Sequence, residues 1–307
     1  MLARHLGHPQ SALSAFMKFA LHFANTTFPN PVGAKRVALA AEAAGFEALI
    51  SPEHVVVPSS YQSEYPYSPT GRLPGGPGVK FPDPLIWQAY VAGVTEKLRF
   101  ITGVLVLPQR NPVVLAKEIA TLDHLTEGRV SLGIGVGWLA EEFDAIGVPF
   151  ARRGKRADEY VAAMRTLWAD DDASFAGEFV NFSGANCNPK PVNGTVPILV
   201  GGHTPFAARR AGQLGDGYFP ATGAQNDSWQ LIELARRTAE EHGRDPAALE
   251  LTMGCPEALP GADEDALAAV SALVEKGVDR IALPLPAFMP ELERNIENFA
   301  EQVLRHF

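Results

Sequence analysis

A carboxylic acid and a histidine stand next to each other in this 307-residue chain, in the segment Ser51-Pro52-Glu53-His54. Histidine titrates near neutral pH, so its side chain can donate, accept or transfer a proton under ordinary conditions. A single histidine is nevertheless more often structural than catalytic. The segment alone therefore leaves a structural and a functional role for Glu53 and His54 open.

The segment Gly201-Gly202-His203-Thr204-Pro205 is a candidate anion-binding turn. Its two glycines free the backbone amides, and a threonine followed by proline is typical of a helix start. Exposed N–H groups and the positive end of a helix dipole together attract anions such as phosphate. The pattern favours a phosphate site over an ordinary tight turn.

Two further segments with glycine lie inside or at the end of apolar runs. Gly103-Val104 interrupts one run, where a glycine commonly marks a bulge or the close approach of another group. Positions 133–137 read Gly-Ile-Gly-Val-Gly and include Gly135, Val136 and Gly137. This pattern differs from the dinucleotide fingerprint G-x-G-x-x-G. By itself it indicates only that backbone can lie against a flat ligand, and Gly103 alone is interpreted as a packing glycine.

The elements that must position these residues are short apolar runs alternating with amphipathic helical segments. Apolar runs without polar alternation are typical of strands covered on both faces. Eight such runs occur, at 17–23, 47–51, 98–107, 129–136, 196–200, 216–220, 249–254 and 280–285. Helix starts are marked by a capping residue before a proline, at Asn30-Pro31, Asp83-Pro84, Asn111-Pro112 and Thr204-Pro205.

Eight strand–helix units predict an α/β fold, a (β/α)8 TIM barrel, in preference to a doubly wound open sheet. Two insertions interrupt the repeat. The one after strand 2, at 55–82, is rich in proline, glycine and tyrosine, which favours an ordered lid over a disordered excursion. The one before strand 5, at 170–195, predicts a small strand pair. Because active sites of barrels lie where strands end and helices begin, the candidate segments are expected on one face.

Composition excludes several classes of protein. A net charge of −9 argues against a partner such as nucleic acid or an anionic membrane surface. No run approaches the ~20 apolar residues of a membrane span. There is no HxH or HExxH metal pattern, and Cys187 and Cys255 predict no disulfide framework. Residues 1–16 lack the apolar stretch of a signal peptide. They are expected to form a loose extension before a single domain at 17–307, in a cytoplasmic protein.

Four longer stretches resemble the luciferase-like monooxygenase family, whose members are flavin- or deazaflavin-dependent (β/α)8 enzymes. These stretches read EHVVVPSSYQSEYPYSPTGRLPGGPGVKFPDPLIW, ITGVLVLPQRNPVVLAKEIATLDHLTEGRVSLGIGVGWLAEEF, RRGKRADEYVAAMRTLW and PKPVNGTVPILVGGHTPFAARRAGQLGDGYFP. The insertion after Glu53-His54 resembles the subgroup of oxidoreductases that use the deazaflavin coenzyme F420. The resemblance covers the chain from about Met17 to its last residue.

The resemblance implies roles for the residues at the strand ends. Glu53 and His54 match a pair that contacts the isoalloxazine-like ring and takes part in proton transfer in some members, so both are predicted to be catalytic. Gly103-Val104 match a bulge with a non-prolyl cis peptide behind the ring. The implied cofactor contacts are Glu53, His54, Gly103, Val104, Gly135, Val136, Gly137, Gly201, Gly202 and His203.

Two departures from family patterns bear on the cofactor. Trp138 stands where F420-dependent sugar-phosphate dehydrogenases have an acidic glutamate, so oxidation of a sugar phosphate is not carried over. Val136 stands where flavin monooxygenases have an arginine, which favours F420 over FMN.

The resulting interpretation is hydride transfer between C5 of F420 and a small organic substrate. The alternatives are an FMN-dependent monooxygenase and a non-catalytic flavin-binding protein of the same fold. Since family members generally dimerise, the resemblance also implies a homodimer.

Overall fold

Parallel strands separated by helices make up most of the computed structural model, which describes residues 17–221 and 227–307. The strands are β1 (Lys18–His22), β2 (Ala48–Ser51), β3 (Arg99–Thr102), β4 (Leu105–Val106), β5 (Val130–Gly135), β6 (Ala173–Ala176), β7 (Asn181–Ala185), β8 (Ile198–Gly201), β9 (Gly217–Phe219), β10 (Glu250–Met253) and β11 (Arg280–Pro284). The helices are α1 (Ala24–Thr27), α2 (Pro31–Ala44), α3 (Pro84–Ala92), α4 (Pro112–Leu125), α5 (Ala140–Ala145), α6 (Arg153–Ala169), α7 (Pro205–Leu214), α8 (Ser228–Glu241), α9 (Ala266–Glu275) and α10 (Leu292–Gln302).

Eight of these strands close into a barrel, so the predicted (β/α)8 fold is confirmed. Their order is β1-β2-β3-β5-β8-β9-β10-β11, and β11 pairs with β1 to complete the ring. The barrel pairings are all parallel, and β4 continues the line of β3 and also pairs with β5. The predicted extension at 1–16 lies outside the described residues. No helix in the described part of the chain is long and apolar enough to cross a membrane.

The predicted helix starts are all observed. In each, the cap side chain accepts hydrogen bonds from first-turn amides: Asn30 from Gly33, Asp83 from Leu85 and Ile86, Asn111 from Val113 and Val114, and Thr204 from Ala207. The proline that follows occupies the first helical position, where its missing N–H is not needed. These starts fix where each preceding loop ends on the barrel rim.

The barrel interior is filled by small and branched side chains. They form a separate buried cluster made of Ala20, Ala48, Ile50, Ile101, Leu199 and Ala282. At the amino-terminal end of the strands, Arg280 is 2% exposed and donates to both oxygens of Glu47, at 2.7 and 2.9 Å. It also pairs with Glu250. These ion pairs tie β11 to β10 and to the residue before β2.

Both predicted insertions are present. The second contains the antiparallel pair β6–β7, as predicted. The run 98–107, predicted as one strand, is divided into β3 and β4 by Gly103 and Val104. The peptide bond between these two residues is cis. Both residues are half-buried at the mouth of the barrel.

Candidate functional site

His54 lies at the mouth of the barrel and is oriented by a carboxylate. Its Nδ1 is 3.0 Å from Oε2 of Glu142, and the His54 side chain is 8% exposed. Because an ionised carboxylate only accepts, Nδ1 carries the hydrogen of this bond, and Nε2 is left for another partner. The edges of Phe81 and Trp138 pack on the imidazole, with ring centroids at 5.1 and 5.7 Å.

Glu142 was not among the residues predicted from the sequence, and it also anchors the first insertion. The side chain is 1% exposed, and its Oε1 accepts from the amides of Val55 at 2.6 Å and Val56 at 3.2 Å. One buried carboxylate thus receives three N–H donors from consecutive residues. The signal that could have found it is the pair of adjacent glutamates directly after the glycine-rich turn, in the stretch VGWLAEEF.

The neighbouring Glu141 holds the middle of the same insertion. It accepts from the amides of Gln62 at 2.6 Å and Ser63 at 3.2 Å, and from the Ser63 hydroxyl at 2.7 Å. These bonds, above all the one from the Ser63 hydroxyl, lower the pKa of Glu141 from 4.5 to about 2. The two glutamates at the start of α5 therefore fix both the beginning and the middle of the insertion.

Aromatic side chains of the insertion pack across the rim. Tyr61 and Tyr65 contact the ring of Trp138, with centroids at 5.6 and 5.1 Å. Tyr67 reaches the turn after β8 and packs on His203 at 4.9 Å. Burial, together with the neighbouring Tyr65, raises the pKa of Tyr67 to about 12. The insertion is thus an ordered cover that extends from the end of β2 to the end of β8.

Glu53 points into the barrel wall. Its Oε2 accepts from the amide of Val106 at 2.6 Å, and its Oε1 accepts from Nε of Arg110 at 3.0 Å. Arg110 also donates to Asp83 at 2.6 Å, the residue that caps α3 after the insertion. Burial raises the pKa of Glu53, and the charge of Arg110 opposes that rise. In this arrangement both oxygens of Glu53 are engaged with protein donors, and its contacts are those of a positioning group.

Three predicted glycines surround the side chain and backbone of Val104. A Cβ atom on Gly135 would stand 2.6 Å from Cγ2 of Val104, and one on Gly201 would stand 2.4 Å from Cγ1. A Cβ atom on Gly103 would stand 2.2 Å from Cγ2 of Ile50. The glycines at 135 and 201 thus make room for the valine methyl groups. Close packing against Val104 is thus one physical reason for glycine at both positions.

The end of the glycine-rich pattern is held by an arginine. Gly137 has a φ of 79°, a left-handed conformation that favours glycine. Its carbonyl accepts from Nε of Arg153 at 3.0 Å, and the Arg153 guanidinium lies 3.7 Å from the centre of the Phe150 ring. Val136 is half-buried and packs on the main core. These contacts shape the rim between β5 and α6.

The turn after β8 is fastened to β9. Gly202 has a φ of 135°, and a Cβ atom there would stand 2.9 Å from Cβ of Ala207. Its amide donates to the carbonyl of Phe219 at 3.2 Å, and its carbonyl accepts from the Tyr218 hydroxyl at 2.9 Å. The prediction that both glycines free their amides is therefore corrected for Gly202, whose N–H already has a protein acceptor. Any side chain at this position would disturb the turn itself.

His22 is a further residue that sequence reasoning missed. It ends β1 at the mouth, and its Nε2 is 3.0 Å from the carbonyl oxygen of Gly103. A histidine that closes an apolar strand at the carboxyl end of a barrel was the available signal.

The structure therefore brings the predicted residues to one face. The side chain of Val104 packs beside Gly135 and Gly201. The imidazole of His54 packs against the ring of Trp138. Among the described residues, no group of three or more histidine, cysteine or carboxylate side chains could hold a metal ion.

A closed parallel barrel with the predicted site residues at the carboxyl ends of its strands has the architecture of TIM-barrel enzymes. A family model for luciferase-like monooxygenases matches residues 13–304. The chain belongs to the luciferase-like monooxygenase family, whose members are oxidoreductases and include F420-dependent and FMN-dependent enzymes.

Curated relatives and solved structures agree with this assignment. An uncharacterized protein of Mycobacterium tuberculosis is 36% identical over 278 residues, which cover 87% of this chain and 93% of that protein. An F420-dependent glucose-6-phosphate dehydrogenase of Kineococcus radiotolerans is 34% identical over 178 residues, 56% of this chain and 52% of that protein. An FMNH2-dependent dimethylsulfone monooxygenase of Pseudomonas fluorescens is 29% identical over 212 residues, 68% of this chain and 53% of that protein.

Among solved structures, the monooxygenase RslO1 from Streptomyces bottropensis superimposes with a TM-score of 0.76 at 25% identity. The match covers 94% of this chain and 99% of that chain.

Removal of the Glu142 carboxylate tests whether it holds the insertion. We expect Glu142→Ala to lower the free energy of unfolding by about 1–3 kcal/mol, because the part-buried N–H donors of His54, Val55 and Val56 lose their acceptor. Trypsin should then cleave faster at Arg72 and Lys80, within the insertion. Urea unfolding and timed proteolysis measure the two effects. Asp144→Ala, an exposed change on the same helix, is the control, and equal behaviour of the two variants would contradict the anchoring role.

Proposed function

We propose that this protein is an F420-dependent oxidoreductase that transfers hydride between C5 of the deazaflavin and a small organic substrate. The observation that carries the proposal is His54, held by the buried carboxylate of Glu142 among aromatic rings at the mouth of the barrel. A histidine oriented by a carboxylate is the arrangement expected of a residue that transfers a proton. The specific cofactor and the substrate are part of the proposal.

The residues at the mouth fit a flat ring with an anionic tail. The half-buried Gly103-Val104 backbone, backed by the packed valine side chain, offers a flat apolar surface for the ring. The amino terminus of α7 is preceded by the Gly201-Gly202 turn and attracts a phosphate through its dipole. Because Gly202 already donates to Phe219, the phosphate would be held by amides beyond it. We propose that Gly135, Val136, Gly137 and His203 complete the cofactor site.

The protein's own contribution is to orient groups, exclude water and handle a proton. A bound deazaflavin supplies hydride chemistry at C5. Nδ1–H of His54 is engaged by Glu142, so Nε2 is the atom that would accept a proton from the substrate; in the opposite direction the imidazolium, with hydrogen on both nitrogens, would return that proton from Nε2. The tyrosine-rich insertion covers the mouth and keeps water from the reacting atoms. Glu53, tied to Val106 and Arg110, would act by fixing the rim rather than by proton transfer.

The alternatives differ in what they require of the cofactor. An FMN-dependent monooxygenase is supported by the relative from Pseudomonas fluorescens. F420 is favoured by the relative from Kineococcus radiotolerans, by the subgroup-like insertion, and by Val136 in place of an arginine. A non-catalytic flavin-binding protein would need no oriented histidine, so the His54–Glu142 pair argues for an enzyme.

A side-by-side titration distinguishes the cofactors. We expect F420 to bind more tightly than FMN, because the residues after β5 provide no arginine at position 136 for a flavin phosphate or ring. Fluorescence of each cofactor, recorded as purified protein is added, gives both dissociation constants. Tight FMN binding without any F420 signal would refute the leading proposal and favour the monooxygenase.

Replacement of His54 tests its proton-transfer role. We expect His54→Ala to leave the F420 dissociation constant nearly unchanged and to slow reoxidation of reduced F420 by substrate about 10²–10⁴-fold, the usual contribution of a general acid. Carbonyl compounds and activated alkenes are the acceptors to screen first. His306→Ala, an exposed histidine near the chain end, is the control. Weakened cofactor binding with a normal rate at saturation would instead make His54 a cofactor contact only.

We also propose that the protein is a homodimer that buries the outer faces of α2 and α3. Val32 is 77% exposed and Ile86 is 74% exposed. The two faces adjoin, since Nζ of Lys35 lies 5.2 Å from the centre of the Tyr90 ring. Exposed apolar residues grouped in this way commonly mark contacts between chains. Sedimentation velocity should show a dimer that Ile86→Glu converts to a monomer, and a monomeric unmodified protein would contradict the proposal.

A further inference from the structure

The side chain of His22 reaches the same backbone segment on which the proposed cofactor ring would lie. Its Nε2 is 3.0 Å from the carbonyl oxygen of Gly103. A Cβ atom built on Gly103 would stand 3.3 Å from that Nε2, so the imidazole also packs against the Gly103 backbone. His22 thus contacts this segment from the side of β1, across the barrel wall from Glu53.

The hydrogen bond defines the state of the imidazole. A carbonyl oxygen only accepts, so Nε2 of His22 carries the hydrogen. Burial lowers the pKa of His22 to about 4, against a smaller rise from the bond to Gly103. At neutral pH the ring is therefore uncharged and acts as a fixed donor. It differs in this respect from His54, whose Nε2 is left for another partner.

The next residue braces this imidazole. Phe23 has φ 66° and ψ 29°, a left-handed conformation that is rare for a bulky side chain. The hydroxyls of Thr26 and Thr27 donate to the Phe23 carbonyl at 3.1 and 2.7 Å. In this conformation the Phe23 ring stacks on His22, with centroids 3.9 Å apart and an angle of 12° between planes.

Phe219 adds a third contact to this cluster. Its ring lies 5.6 Å from His22, and its carbonyl accepts from the amide of Gly202 in the proposed phosphate turn. Local strain of the kind found at Phe23 persists where the surrounding structure maintains it, and it is concentrated at ligand sites. The imidazole of His22 is thus in contact with the rings of Phe23 and Phe219. These contacts keep its Nε2–H directed toward the carbonyl of Gly103.

We propose that His22 is a positioning residue that fixes the Gly103 carbonyl and thereby the face of the Gly103-Val104 peptide presented to the cofactor ring. The inference rests on the proposed function, because it assumes that the cofactor ring lies on this segment. His22 has no reaction step of its own. Val104 is lodged between Gly135 and Gly201, and Glu53 holds the amide of Val106. With His22 on the Gly103 carbonyl, the segment is constrained at its beginning, middle and end.

Two substitutions separate the donor from its bulk. His22→Gln keeps an N–H donor near the position of Nε2, whereas His22→Met fills a similar volume without one. The melting temperature of the cofactor-free variants shows that each is folded. Dissociation constants for F420 and FMN, and the absorption spectrum of the bound cofactor, are then compared with those of the unmodified protein.

We expect His22→Gln to bind within about threefold of the unmodified protein and to reproduce its bound spectrum. His22→Met should bind the cofactor about tenfold more weakly, which corresponds to the loss of roughly one hydrogen bond. The absorption spectrum of the bound cofactor should also shift. If both variants bind with unmodified affinity and spectrum, the positioning role is wrong while the proposed function stands. If both lose affinity equally, His22 serves packing alone. If the unmodified protein binds neither cofactor, the proposed function fails, and this inference fails with it.

Discussion

The buried carboxylate of Glu142 is the interaction on which the rim of this barrel depends. A carboxylate removed from water is costly unless donors replace its lost hydration. Here three N–H groups do so, from the imidazole of His54 and from the amides of Val55 and Val56. The same bonds select one tautomer of His54 and determine where the first insertion leaves β2. This one carboxylate thus orients the imidazole of His54 and fixes the first residues of the insertion.

A second constraint is the packing of Val104 between two strands that carry glycine. Gly135 and Gly201 lie at the ends of β5 and β8, and any side chain at either would overlap the valine methyl groups. Glycine at these two positions leaves room for the side chain of Val104. The glycines at these strand ends therefore shape the mouth of the barrel through the residue that they accommodate, and the amide of Gly202 is taken up by the carbonyl of Phe219.

Much of the fold could be predicted from the sequence because its signals are local. Apolar runs of strand length and cap–proline pairs such as Asn30-Pro31 depend on neighbouring residues, and the structure has strands and helices at those places. The apolar pattern of the run 98–107 does not by itself show where the strand is interrupted, and the bulge with its cis peptide at Gly103-Val104 was expected from the family resemblance. The partners of the site residues were hidden for another reason. His54 and Glu142 are 88 positions apart, and only closure of the barrel brings them together. The same holds for His22 and Gly103, which are 81 positions apart.

We propose that a deazaflavin ring lies on the Gly103-Val104 peptide, with Nε2 of His54 toward the substrate. A crystal structure of the protein with F420 bound would test this arrangement. We expect ring density in contact with Gly103 and Val104, the phosphate at the amino terminus of α7, and the His54–Glu142 hydrogen bond retained. Density for the ring elsewhere, or a His54 side chain turned away from Glu142 and from the ring, would contradict it.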